Sequence, residues 1–471
     1  PILPGSLKTR YLPTIIFYSK AYMHSAKLTI ARFLSVLLIA LGLHSTASAQ
    51  ENSPYSRYGL GDLTPNQNIF TRGMGGISAA TNEGRSINFT NPASLSGIGL
   101  TIFDLGAEVD FRTLKSSNPA AKFTSVNTYF SYLQLGFPLT TPKMAKKGIR
   151  WGMSFGLKPV SKINYKIEKN ERLSGIDSLN TLYEGTGGLN QAFIGSGIRI
   201  KNFSIGFNVG YMFGSKDYST KLTFINDSVY YYLSNSQNKT TIGGLFINGG
   251  IQYDIPLEKD KNDNVVKNLR LGVYGNMQQN LRARSDNIRE TIYYDPNGGY
   301  FRIDSVFEQK DIKGTIKYPA RVGVGLNYSS PNWMFGADFE YGNWNNYRYY
   351  GQAEAVKDNW TIRAGAQYYP NKGTNPVIKY FNFVKYRAGF YYGSDYINVN
   401  KNRPEYGFTI GTGMPLSSLK KISYTGEFVM LNTAVEIGNR GNKQTNLREN
   451  VVRVSIGISM NASWFQKRKY Y

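Results

Sequence analysis

The chain has 471 residues, 55 of them basic and 31 acidic, with no cysteine and two histidines. Five basic residues, both histidines (His24 and His44) and no acidic residue fall in 1–49, so the remainder sets 50 positive charges against 31 negative and has neither His nor Cys. This excludes Ser-His and Cys-His nucleophile pairs, disulfides, and the usual zinc, haem and iron–sulfur ligand sets. The expectation is a protein that is not an enzyme and needs no cofactor or metal, although a carboxylate-only mechanism stays formally open.

The first 22 residues contain no Met and are expected to be upstream translation rather than structure. From Met23 the chain carries Lys27 and Arg32, then the apolar run 33-FLSVLLIALGL-43, then 47-ASA-49. A basic region, a short apolar run and a small-x-small site make a secretory signal peptide over 23–49, with the mature chain starting near Gln50. The run is too short to cross a membrane as a helix.

Residues 50–98 follow no helical or strand period. They are soft and glycine-studded in 71-TRGMGGISAATNEGRSINFTNPASL-95. Gly73, Gly75 and Gly76 allow positive φ and close backbone approach. Asn91-Pro92-Ala93 reads as a turn that redirects the chain into a first strand at Gly99.

From 99 to 465 the pattern is alternation. In 203-FSIGFNVGYMF-213 the set Phe203, Ile205, Phe207, Val209, Tyr211 and Phe213 opposes Ser204, Gly206, Asn208 and Gly210. The stretches 321-RVGVGLNY-328, 333-WMFGADFEY-341 and 360-WTIRAGAQY-368 repeat this, with aromatics ending the apolar rows. The last segment, 451-VVRVSIGISMNASWF-465, sustains it to Trp464-Phe465. Period two at such length, with one face wholly apolar, predicts strands with lipid outside and water inside. Fourteen such segments are predicted, among them 268–282, 313–328, 381–397 and 419–435. An even number suits a closed antiparallel up-and-down β-barrel. Long outer loops are predicted near 167–187, 217–238 and 283–312, and mostly short turns at the other end, such as Lys201-Asn202. Two longer turns there, near 138–148 and 256–267, are Lys-rich. They are solvated charged turns or contacts for a periplasmic partner. Residues 466–471 are left as a periplasmic tail.

A barrel of this size encloses more space than wall side chains fill. Residues 50–98 are therefore expected to fold inside it as a plug. The alternation points Arg321, Arg363, Arg387, Asp338, Glu340 and Glu427 into the lumen, along with Asp104, Glu108, Arg199, Arg270, Lys385 and Arg453. There they pair with each other and with the plug, or an arginine fork binds a carboxylate. The charges are spread rather than clustered, so nucleic acid is not an expected partner. Outer-membrane lipid and lipopolysaccharide are.

The order 73-GMGG-76, then 91-NPASL-95 directly before the first strand, resembles the FadL-type outer-membrane transport family. The mid-barrel stretch 187-GGLNQAFIGSG-197 looks similar too, and 54-PYSRYGLGDL-63 resembles an N-terminal signature of a Bacteroidota branch. The resemblance implies an outer-membrane barrel of a Gram-negative bacterium whose N-terminal hatch plugs fourteen strands. It implies passive uptake of hydrophobic small molecules such as long-chain fatty acids, released sideways through a gap made by a kink in the third strand. In this chain Gly156, Lys158 and Pro159 occupy that place, where a proline removes one ladder donor; alternatively, Pro159 marks where the strand leaves the membrane for the outer loop. The other reading is a non-transporting structural or adaptor barrel, docked on outer-membrane secretion or barrel-assembly machinery with the plug permanently shut.

Overall fold

The computed structural model describes residues 53–462 apart from 119, 175–176, 226–230, 296–298, 371–379, 400, 418–427, 443–444 and 446. The segments read as upstream translation, signal peptide and C-terminal tail, together with Trp464-Phe465, lie outside the described residues. So does Glu427.

In chain order the strands begin with β1 (Asp62–Leu63), β2 (Thr101–Ser117), β3 (Ala120–Pro138), β4 (Ile149–Leu173), β5 (Asp177–Ile200) and β6 (Phe203–Ile225). Next come β7 (Leu233–Lys259), β8 (Val265–Asn276), β9 (Gln279–Asp295), β10 (Gly299–Tyr318), β11 (Arg321–Ser329) and β12 (Trp333–Gly342). The last are β13 (Arg348–Tyr349), β14 (Asn359–Tyr368), β15 (Lys385–Ser394), β16 (Pro404–Pro415), β17 (Phe428–Arg440) and β18 (Leu447–Ala462). Each long strand lies antiparallel to its neighbours, and β18 returns to β2 from Leu447 opposite Ser116 to Ala462 opposite Thr101. That ladder closes the sheet and removes the edges an open sheet would expose.

Two wall strands are each interrupted once. Both β8 and β9 pair with β7, and their partners across the wall are β11 and β10. Counting each interrupted pair once and setting aside the two-residue β1 and β13 leaves fourteen wall strands. The protein is a closed antiparallel β-barrel.

The alternation sets which face is wet. In β6, Phe207 is 55% exposed and Tyr211 54%, whereas the intervening Ser204, Asn208 and Met212 are buried. Outward rows on β11, β12 and β16 are likewise apolar and mostly exposed, as hydrocarbon requires of a wall that crosses it.

Residues 53–98 lie against the inner face of this wall, buried over most of their length. Wall glycines make room. A Cβ at Gly389 would strike the backbone of Met74 and Gly75, and one at Gly206 would strike Pro92. Gly75 and Gly76 turn the chain there with φ of 69° and 84°.

Two expectations need correction. The stretches 167–187, 217–238 and 283–312 are not mainly loops: β4 to β7, β9 and β10 run through them as paired strands. Beyond the lipid no apolar face is needed, so polar residues such as those of 177–187 keep the ladder by backbone bonding alone. The strand predicted over 419–435 is described only from Phe428 to Arg440, and that predicted over 381–397 is Lys385–Ser394.

Replacing Gly389 by Val should disrupt docking of the N-terminal segment by about 1–3 kcal/mol, the usual cost of overpacking. The barrel should still show heat-modifiable gel migration, while limited proteolysis within 53–98 accelerates. Unchanged proteolysis would contradict the close approach of Met74 and Gly75 to the wall.

Candidate functional site

The wall is not uniformly laddered. Strands β3 and β4 pair only from Leu133 opposite Leu157 to Pro138 opposite Gly152. Past Leu157, β4 continues to Leu173 paired with β5, with a bulge between Pro159 and Ser161. The proline has no N–H to give and sits where a ladder can end. Between β3 above Leu133 and β4 above Leu157 the wall therefore has no backbone ladder.

The N-terminal segment fills that place from inside. Asp62 and Leu63 of β1 pair with Lys162 and Ser161 of β4. Thr64 N–H donates to Val160 O at 3.1 Å, and its Oγ1 donates to Pro159 O at 2.9 Å. Lys158 donates to Asn66 and lies over the Phe89 ring, 4.6 Å from its centre. Lys162 reaches across the opening to Glu108 of β2 at 3.1 Å and lies over the Tyr129 ring of β3.

Charge holds the segment along its length. Asp62 bridges Arg112 at 2.6 Å and Arg440 at 2.7 Å. Behind it, Glu449 joins Arg112 at 3.0 Å to Arg403 at 2.9 Å, and Arg403 reaches Asp395 at 2.6 Å and covers the Tyr55 ring. Arg72 pairs with Glu108, and Glu83 with Lys385 at 2.9 Å. Burial alone would push the Asp62 carboxyl up, but the Arg112 and Arg440 guanidiniums hold it well below the usual range. Burial acts likewise on Glu83, and Lys385 outweighs it, so this carboxyl too is lowered.

The sequence-predicted residues fall in several places. Gly73 ends the helical turn Ile69–Arg72 with φ of −60° and packs on Gly411. Asn91 caps the turn Pro92–Gly97 by accepting from Ala93 N–H at 3.1 Å, and its amide donates to Ala79 O at 2.6 Å. Gly156, Lys158 and Pro159 lie where the β3–β4 ladder stops. Arg321 and Arg363 converge on Glu340, at 4.0 and 3.5 Å. Asp338 instead accepts from the N–H groups of Ser78 and Ala79. Arg387 stands apart, donating to Gln367 and Asn432 under the Phe70 ring.

Sequence reading missed the Asp62–Arg112–Arg440–Glu449 cluster. Arg112 has the same lumenal parity as Asp104 and Glu108, but it is the last residue of the strand that alternation predicts over 99–112. Two cavities flank residues 63–66. One, of about 80 Å3, is bounded by Lys158, Pro159, Phe89, Phe246, Arg321 and Trp344. The other, of about 160 Å3, is bounded by Asp62, Arg72, Arg363, Glu436, Arg440 and Arg453. Both touch Asn66 and Glu340.

A family model, BamG, matches residues 29–471. The chain belongs to the BamG family. No curated protein matches it. Among solved structures, a Pseudomonas aeruginosa FadL homologue is similar at a TM-score of 0.52 and 12% identity, over 86% of this chain and 99% of that one. A deletion mutant (ΔS2S3) of the monoaromatic hydrocarbon channel TodX is similar at 0.50 and 15%, over 84% and 99%. The toluene transporter TbuX of Ralstonia pickettii is similar at 0.49 and 14%, over 84% and 98%. At such identities the likeness is one of fold.

In this BamG-family chain the lowered carboxyls fix a pH dependence. Their contribution is complete above the unfolded values of about 4 and is lost as pH falls toward the lower folded ones. Release of the N-terminal segment, read by proteolysis, should therefore rise below about pH 4. Asp62→Asn should produce the same release at pH 7, at a cost of about 3 kcal/mol for stranding buried guanidiniums. Resistance of this variant equal to that of the unsubstituted chain would contradict the lock.

Proposed function

We propose that the chain is an exported outer-membrane barrel that passes small hydrophobic molecules, with residues 53–98 as its plug and the unladdered place between β3 and β4 as its lateral exit. Residues 23–49 are its signal peptide, and its short turns face the periplasm of a Gram-negative, Bacteroidota-type cell. The observation that carries this reading is the end of the β3–β4 ladder at Leu133 and Leu157, with a cavity directly behind it at Lys158 and Pro159.

The route begins above that cavity. Leu60, Tyr347, Tyr396, Ile397 and Trp344 form an apolar cluster at the end of the barrel where the long strands project, and Met212, Phe246 and Tyr318 carry it down to the cavity wall. An apolar solute reaching this cluster trades water for aromatic surface. By volume the larger cavity, about 160 Å3, could admit a single benzene ring, which takes about 150 Å3, whereas the one behind the exit, about 80 Å3, has to widen even for that. A long acyl chain needs the plug to move. Strand β1 is the part to move: two register pairs and the Thr64 bonds hold it on β4, and the Asp62 bridges to Arg112 and Arg440 open with it.

A second reading is favoured by the ion pairs. Among the described residues four cations, Arg72 of the segment and Arg112, Lys385 and Arg440 outside it, tie residues 53–98 to the wall through buried bridges, a density suited to a plug that stays shut. On that reading the barrel is an adaptor in a secretion or barrel-assembly complex, and the BamG match points the same way.

The chain has no cysteine, so Leu63→Cys with Ser161→Cys adds one cross-strand pair able to form a disulfide between β1 and β4. Transport through the exit predicts that oxidised cells lose uptake of a labelled monoaromatic hydrocarbon and that reductant restores it. Uptake indifferent to oxidation, with stable co-purification of a membrane complex, would replace the first reading by the second. Deleting 51–92 should in either case raise small-solute flux in liposomes, and unchanged flux would contradict the plug.

A further inference from the structure

The turn between β3 and β4 carries charge that the chain does not answer. It is a built turn rather than a loose one. Thr141 caps the short helix Pro142–Lys146, accepting from Met144 N–H at 3.3 Å through its side chain and from Ala145 N–H at 2.9 Å through its carbonyl. Leu139 N–H donates to Trp151 O at 2.8 Å, and Lys201 N–H, from the β5–β6 turn, donates to Gly148 O at 3.1 Å. The last bond brings two turns into one rim.

That rim presents Lys143, Lys146, Lys147, Arg150 and Lys201, all exposed, and among the described residues none of them forms an ion pair. The neighbouring β7–β8 turn is different: its Lys259 bridges Asp263 at 2.7 Å and its Lys267 bridges Glu258. Like charges held together on a rigid turn repel, and a sequence that keeps them unpaired leaves them available to an anion from outside.

The place of the rim points to the anion. Immediately next to the cations on the outer wall stand Trp151, Ile200 and Phe203, all exposed, at the turn ends of their outward rows. The Trp151 indole N–H donates to Ser196 Oγ at 2.9 Å, which holds the ring flat along the wall. An aromatic beside a cluster of lysines at the end of a lipid-facing row is where bilayer hydrocarbon gives way to headgroups. A phosphate anchored in that leaflet meets the lysine ammoniums without leaving the bilayer, and ammoniums act on it as point charges needing no fixed fork.

We propose that this rim is a binding site for the phosphate of an anionic phospholipid in the periplasmic leaflet. The site rests on the orientation proposed above, with the short turns in the periplasm, but not on transport.

The test is native mass spectrometry of the full-length mature protein exchanged into mixed phosphatidylglycerol and phosphatidylethanolamine. Phosphatidylglycerol should be retained preferentially and be lost as salt rises. Lys143→Gln/Lys146→Gln/Lys147→Gln should weaken its retention about tenfold or more, given the usual contribution of each basic residue at a membrane surface. The corresponding triple Arg variant should keep it. Heat-modifiable gel migration shows that each variant is a folded barrel, and hydrocarbon uptake should be unchanged in both. Equal retention of the two lipids, or no loss in the Gln variant, would overturn the site. Preference for lipopolysaccharide over phosphatidylglycerol would overturn it through the orientation, and capture of an acidic protein in place of lipid would reassign the rim to a protein partner.

Discussion

Closure of the wall is the constraint on which the rest depends. Once β18 pairs with β2, the wall strands among the described residues are laddered to both neighbours at lipid level except between β3 and β4. A closed wall of fourteen strands surrounds a lumen too wide for its own side chains, so a filling has to come from elsewhere in the chain. Residues 53–98 lie buried against the wall's inner face, and the glycines of β6, β14 and β15 thin the wall where their backbone approaches.

Much of this was legible because a bilayer-spanning strand writes its two faces into the sequence. The rows of β6, β11, β12 and β14 were readable residue by residue, and the strand count followed from them. The projecting parts of β4 to β7, β9 and β10 were not. Outside the lipid no face has to be apolar and the ladder is held by backbone groups, which impose no side-chain pattern. The same blindness cost Arg112, at the point where β2 leaves the alternating region, and with it the Asp62 cluster.

The opening between β3 and β4 was legible only by half. Pro159 marks β4 as a place where pairing is lost, but in β3 Val126, Thr128 and Phe130 stay exposed against buried Ser125, Asn127 and Ser131, and nothing in that row marks the loss of its partner. That its partner departs at Leu133 is a property of register, and register is decided by two strands together. The buried carboxylates and guanidiniums beside it carry a further physical lesson. Each bridge on Asp62, Glu108 and Glu449 gains little over solvated ions in net stability, yet stranding one partner is costly. Such a lattice fixes one seating for the N-terminal segment more than it strengthens the barrel.

Strand β1 seated on β4 beside an unladdered stretch of β3 is the central claim, and hydrogen–deuterium exchange in lipid nanodiscs reads it most directly. The account predicts slow exchange at Thr64, whose N–H is bonded to Val160 O, and fast exchange at those N–H groups of 120–132 that point away from β2. Uniform protection of 120–132, or exchange at Thr64 as fast as in an unstructured peptide, would contradict it.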